Sequence, residues 1–98
     1  MNALTIYQQL GGGKFQSMTG AKNFVYTRPP VVSLSFRIGK AKRGINSVKV
    51  TLTPADEYEM EFGKIRAGTY TVISRYVGVY NDNLQFIFTA ETGLDTHL

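Results

Sequence analysis

The stretch from Ser47 to Ile65 limits what this chain can fold into more than any other. Val48, Val50 and Leu52 alternate with Lys49, Thr51 and Thr53, and Tyr58, Met60 and Phe62 alternate with Glu57, Glu59 and Glu61. Successive side chains of a strand point to opposite faces, so this period of two predicts two half-buried strands. Placing Leu52 opposite Tyr58 also sets Val50 opposite Met60 and Val48 opposite Phe62. The other face then pairs Thr53, Thr51 and Lys49 with Glu57, Glu59 and Glu61, and Lys49–Glu61 becomes a favourable cross-strand charge pair. A slip of one residue would set glutamates against valines, so the register is strongly specified. Thr53-Pro54-Ala55-Asp56 also resembles a helix start, with a threonine cap and a proline in the first turn. The strict alternation from Glu57 to Phe62 favours the strand.

The remaining segments are read around this hairpin. Asn2 to Leu10 reads as a short helix, with Leu4, Tyr7 and Leu10 near helical spacing and Ile6 widening the stripe. Gly11-Gly12-Gly13 is expected to stop it. Lys14 to Thr27 is expected to hold a strand or two, with Gly20 at a bend, and Arg28-Pro29-Pro30 is a break. Val32, Leu34, Phe36 and Ile38 alternate with Ser33, Ser35 and Arg37, a clear half-buried strand. Thr69 to Tyr80 is apolar on both faces, with Tyr70, Val72 and Tyr76 on one and Ile73, Val77 and Val79 on the other. Such a strand is expected to be central or covered. Asn81 or Asp82 then caps a helix whose buried stripe is Leu84, Ile87 and Phe88, ending at Gly93.

These elements predict one α+β domain over residues 1–98. Its antiparallel sheet has about five strands, with a short N-terminal helix and a C-terminal helix packed on it. At 98 residues with 43% hydrophobic and 18% charged side chains, an economical single core is expected. With no cysteine, disulfides and thiolate metal sites are excluded, and a reducing compartment is the natural setting. No apolar run is long enough to span a bilayer, and Met1-Asn2-Ala3-Leu4-Thr5 lacks the features of a signal peptide. The expected location is the cytoplasm, with no membrane partner.

Little in the sequence points to catalysis. Gly11-Gly12-Gly13-Lys14 is followed by Phe15 rather than Ser or Thr, and it follows a helix rather than a strand, so it does not fit a phosphate loop. The single histidine, His97, has only Asp95 as a near acidic neighbour, which is too little for a metal. It also leaves no serine with a base. On a wet strand face, Glu57, Glu59 and Glu61 are poor general acids. No enzyme activity, catalytic residue, metal or cofactor is expected.

The net charge of +4 permits nucleic-acid binding without requiring it. Gly39-Lys40-Ala41-Lys42-Arg43-Gly44 joins two strands, and its three cations suit phosphates. Sheet-based single-strand binders combine such cations with stacking aromatics, and this chain has six tyrosines and six phenylalanines. The candidate nucleic-acid-binding residues are Lys40, Lys42, Arg43, Arg37, Arg75 and Tyr76; Tyr26, Tyr70 and Tyr80 are further tyrosines of interest. The plainer reading is a solvated loop, with aromatics that serve the core.

Several strings also carry a likeness: Gln9-Leu10-Gly11-Gly12, Lys14-Phe15, Met18 to Phe24, Leu34-Ser35-Phe36, Gly44-Ile45-Asn46, Tyr58 to Phe62 and Thr92-Gly93-Leu94. Over nearly its whole length the chain resembles a group of small bacteriophage and mobile-element proteins. The resemblance implies an accessory protein made in a bacterial host cytoplasm, and it carries over no catalytic or binding residue. Three readings follow. The chain binds nucleic acid, preferring single strands, or it inhibits a host or defence protein in the manner of an anti-CRISPR protein. The third is a structural, self-assembling piece, a homodimer paired through an exposed sheet edge. The first two stand nearly level. A continuous positive face would favour nucleic acid, and a mixed or apolar one would favour protein.

Overall fold

The computed structural model describes residues 3–39 and 41–96, so readings that fall on Asn2, Lys40 and His97 lie outside the described residues. Helices α1 (Ala3–Leu10) and α2 (Gly12–Thr19) precede strands β1 (Lys22–Thr27), β2 (Val32–Arg37), β3 (Ser47–Leu52), β4 (Tyr58–Arg66) and β5 (Thr69–Val79). A 3-10 turn at Lys42–Gly44 lies between β2 and β3, and a second, Asn81–Asn83, leads into helix α3 (Leu84–Thr92). The strands lie in chain order in one five-stranded sheet, each antiparallel to its neighbour. This is the α+β fold expected from the sequence.

The β3–β4 hairpin has the register that the alternation dictates, with Leu52 against Tyr58, Val50 against Met60 and Val48 against Phe62. The stretch from Thr53 to Glu57 is a turn and not a helix start. Thr53 N–H donates to the Glu57 carbonyl at 2.8 Å, and Asp56 takes a positive φ of 60°. Lys49 and Glu61 are register partners. They stand opposite one another as the cross-strand charge pair expected, while the close ion pairs among the described residues are Arg43–Glu91 and Arg75–Glu59.

One sheet face carries the core. Rows such as Tyr26, Leu34, Val50, Met60 and Tyr76 run across all five strands on this face. Phe36, Phe62, Phe15 and Phe88 interlock above it, with Phe15 centred 5.3 Å from Phe36 and 5.2 Å from Phe88. The helices cover this same face. The Tyr58 hydroxyl donates to the Gln9 carboxamide oxygen, and the Gln85 side chain donates to the Gln9 carbonyl at 3.1 Å, so β4, α1 and α3 are tied together.

Three expectations are corrected. Gly11, at φ 125°, does end α1, but the chain restarts at once as α2, which runs from the expected glycine stop into the stretch expected to hold a strand or two. This helix is poor in apolar residues and buries just Phe15 and Thr19, one turn apart, so its docking on the phenylalanine cluster sustains it rather than propensity. Gly20 is its C-cap, in the left-handed region with φ 69°, rather than a bend in a strand. In α1 the buried stripe is Ala3, Ile6 and Leu10, while Leu4 faces outward.

The third correction concerns β5, which is an edge strand and largely exposed rather than central or covered. Its register against β4 shifts twice, so Gly63 faces Val72 while Phe62 faces Ser74, and Ile73 is the extra residue. A bulge moves the following side chains to the other face. Tyr70, Val72, Arg75 and Val77 therefore share the open face, and Tyr76 turns to the helix side, a split that strict alternation from Tyr70 could not give.

Candidate interaction surfaces

The described part of the basic loop after Lys40 is a tight turn. Ala41 leads into the 3-10 turn, and Arg43 takes a positive φ of 56°. The turn is folded back on α3. The Lys42 stem lies against Gly93, the left-handed C-cap of α3, where an added Cβ would come within 3.0 Å of Lys42 Cε. A cation suits that position, because the last carbonyls of a helix leave partial negative charge there.

Arg43 is ion-paired with Glu91, a carboxylate only 7% exposed. The same carboxylate accepts hydrogen bonds from the Ser74 hydroxyl at 2.7 Å and from the Tyr76 hydroxyl. Arg43 and Tyr76, two of the expected nucleic-acid residues, are thus brought together, but on a carboxylate that uses both. Glu91 was not singled out in the sequence. Its signal was its place on the helix stripe, seven residues after Leu84 and three after Phe88, where an acid needs a partner.

The other two candidates sit on the open sheet face, away from that cluster. Arg75 donates to Glu59 at 3.1 Å, and Arg37 Nε donates to the Asn46 carbonyl at 3.3 Å. Asn46 itself prolongs the β3–β4 pairing, because its carboxamide exchanges two hydrogen bonds with the Ile65 backbone, at 2.9 and 2.8 Å. The open face is mixed in charge. One row reads Val25, Ser35, Lys49, Glu61, Arg75 across the five strands. Cations Lys22, Arg37 and Lys49 lie over β1–β3, and Glu57, Glu59 and Glu61 follow β4 and the turn before it.

Tyr70 lies across this face beside β4. Its hydroxyl donates to Glu61 at 2.7 Å, and its ring covers Gly63, where an added Cβ would collide with Tyr70 Cε1. Burial first, then the bond to Glu61 and the charge of that carboxylate, push the Tyr70 hydroxyl up to about 12.

At the opposite edge an apolar groove of about 660 Å³ opens between α1 and β1. Leu4, Tyr7, Phe24, Tyr26 and Pro29 supply much of its wall, and among the described residues Arg28 is the one charged side chain that lines it. Leu4 is 58% exposed and Tyr26 57%, so large apolar surface faces solvent here. Tyr26 was a residue of interest in the sequence, but the groove was not legible there, because Leu4 reads as part of the buried stripe.

Among the described residues, no group of three or more histidine or acidic side chains is placed to hold a metal ion, and no helix is long and apolar enough to cross a membrane. No protein-family model, curated protein or solved structure matches this chain.

Proposed function

We propose that this chain is a non-catalytic protein-binding module of a phage or mobile element, acting on a host or defence protein in the bacterial cytoplasm. The groove between α1 and β1 takes a short apolar segment of that protein, with a carboxylate beside it to meet Arg28. The single observation that carries this reading is the groove itself, with Leu4 and Tyr26 exposed in its wall and Arg28 as its one charge among the described residues. A concave apolar site with few polar groups is what a docking segment requires. Among the described residues Arg28 has no ion-pair partner, so its charge is left for an acidic group of the ligand. The resemblance to phage and mobile-element proteins supports a host partner.

The test is affinity capture from nuclease-treated host lysate, run in parallel with the wild type, Leu4→Asp and Arg28→Glu. One protein held by the wild type and lost from both variants supports the reading. Loss of capture on nuclease treatment, or equal capture by all three, contradicts it.

A second reading is single-strand nucleic-acid binding. What favours it is the basic half of the open face, Lys22, Arg37 and Lys49, beside the hydroxyls of Ser35 and Ser47. It ranks lower because Arg43 and Arg75 are paired with carboxylates within the chain.

A further inference from the structure

We propose that two copies of this chain pair through their β5 edges, forming one continuous antiparallel sheet around a two-fold axis. This inference is independent of the groove, which lies at the opposite edge of the sheet.

The two edges of the sheet are built differently. β1 is six residues long and well guarded. It begins at Lys22, its register slips between Lys22 and Val25, Asn23 takes a positive φ of 57°, and Arg28-Pro29-Pro30 follows it directly. Charge, irregularity and proline are how an edge resists a passing strand. β5 is eleven residues long and has one charge, Arg75, which Glu59 of the same chain already engages. Its outer backbone groups meet no other strand among the described residues. Val72 is 50% exposed and Val77 67%. Strand donors and acceptors beside exposed valines make a template for pairing.

Charge and closure select a second copy as the occupant. The chain carries a net charge of +4, so copies repel in general, but β5 opposes no unpaired cation to its twin. A β5-to-β1 contact would be head-to-tail and would propagate into a filament, whereas a β5-to-β5 contact closes. The guarded β1 edge blocks the first and leaves the second.

The bulge at Ile73 fixes the register. Directly opposed residues of paired strands share a face. Tyr70 and Val72 lie before the bulge, Arg75 and Val77 after it, and all four are on the open face. The register that opposes Val72 to Arg75 of the other copy also opposes Tyr70 to Val77, and it brings Thr71 against Tyr76 on the helix side. Every pair then shares a face, and the two-fold passes between Ile73 and Ser74. Shifting by one residue sets open-face residues against helix-side ones.

The test is light scattering on the purified full chain at high micromolar concentration. The expected mass is twice the chain's 10.9 kDa. Val72→Lys/Val77→Lys is expected to give the single-chain mass with an unchanged circular dichroism spectrum, and Val25→Lys, on the guarded edge, is expected to keep the dimer. Because the chain has no cysteine, Val72→Cys/Arg75→Cys reports the register directly through an oxidised covalent dimer. A monomeric wild type, a dimer that survives the double lysine variant, or one broken by Val25→Lys would overturn the proposal.

Discussion

Arg43, in the turn before β3, is ion-paired with Glu91 near the end of α3, and this contact fastens the turn to the helix. Arg43 is half exposed while Glu91 is buried, so the two ends of the pair are not equivalent. Removing Arg43 leaves a buried carboxylate with only the Ser74 and Tyr76 hydroxyls. Arg43→Ala is expected to cost about 1–3 kcal/mol of unfolding free energy, measured by urea denaturation. Arg43→Met/Glu91→Leu is expected to recover most of that loss, because no buried charge remains unpaired. Losses that simply add in the double variant would show that the two residues are not coupled.

Alkaline stability follows from Tyr70. Its folded-state value, about 12, lies above the ordinary value near 10 of an unfolded chain. Between the two, the folded state holds the proton that the unfolded state has lost. The contribution of Tyr70 is therefore full below about pH 10 and disappears as the pH rises through about 12. Tyr70→Phe is expected to flatten the fall of stability over that window, read from urea midpoints at successive pH values. Burial also raises Tyr58, so the wild type is expected to show more than one late-titrating tyrosine by tyrosinate absorbance, and the variant is expected to lose one of them.

Gly63 and Tyr70 act together. The Tyr70 ring occupies the space where a side chain at position 63 would stand. Gly63→Ala must push the ring outward, breaking its bond to Glu61 and exposing it. The expected result is a loss of about 1–3 kcal/mol and a late-titrating tyrosine that returns toward the ordinary range. A Gly63→Ala protein with the Tyr70 titration unmoved would contradict this packing.

The dependence of α2 on Phe15 is testable on its own. Phe15 is fully buried between Phe36 and Phe88. Phe15→Ala is expected to cost about 3–5 kcal/mol, the usual range for a buried phenylalanine. Hydrogen exchange should show protection lost first across Gly12–Thr19, since only Phe15 and Thr19 of this helix are buried.

These contacts also show why some of the molecule was legible in the sequence and some was not. The β3–β4 register could be read because only one alignment matches character on both faces at every pair. The α3 stripe and its Gly93 cap could be read because both are local signals. α2 was hidden because its stability comes from tertiary contacts of Phe15, while its own residues favour turns. The edge position of β5 was hidden because apolar composition is common to central strands and pairing edges, and only sheet order separates them. For the candidate binding residues, charge was legible in the sequence but partners were not. The acid that engages Arg43 lies 48 residues later in the chain, and nothing local announces the contact.

The central claim is that this chain recognises protein through apolar surface rather than nucleic acid through its cations. The most direct measurement is an anisotropy titration of a labelled single-stranded oligonucleotide at low salt, where phosphate contacts are strongest. The expected result is no saturable binding by the wild type. Saturable binding that weakens with salt and is lost in Lys22→Ala/Lys49→Ala would contradict the claim and place nucleic acid on the open face of the sheet.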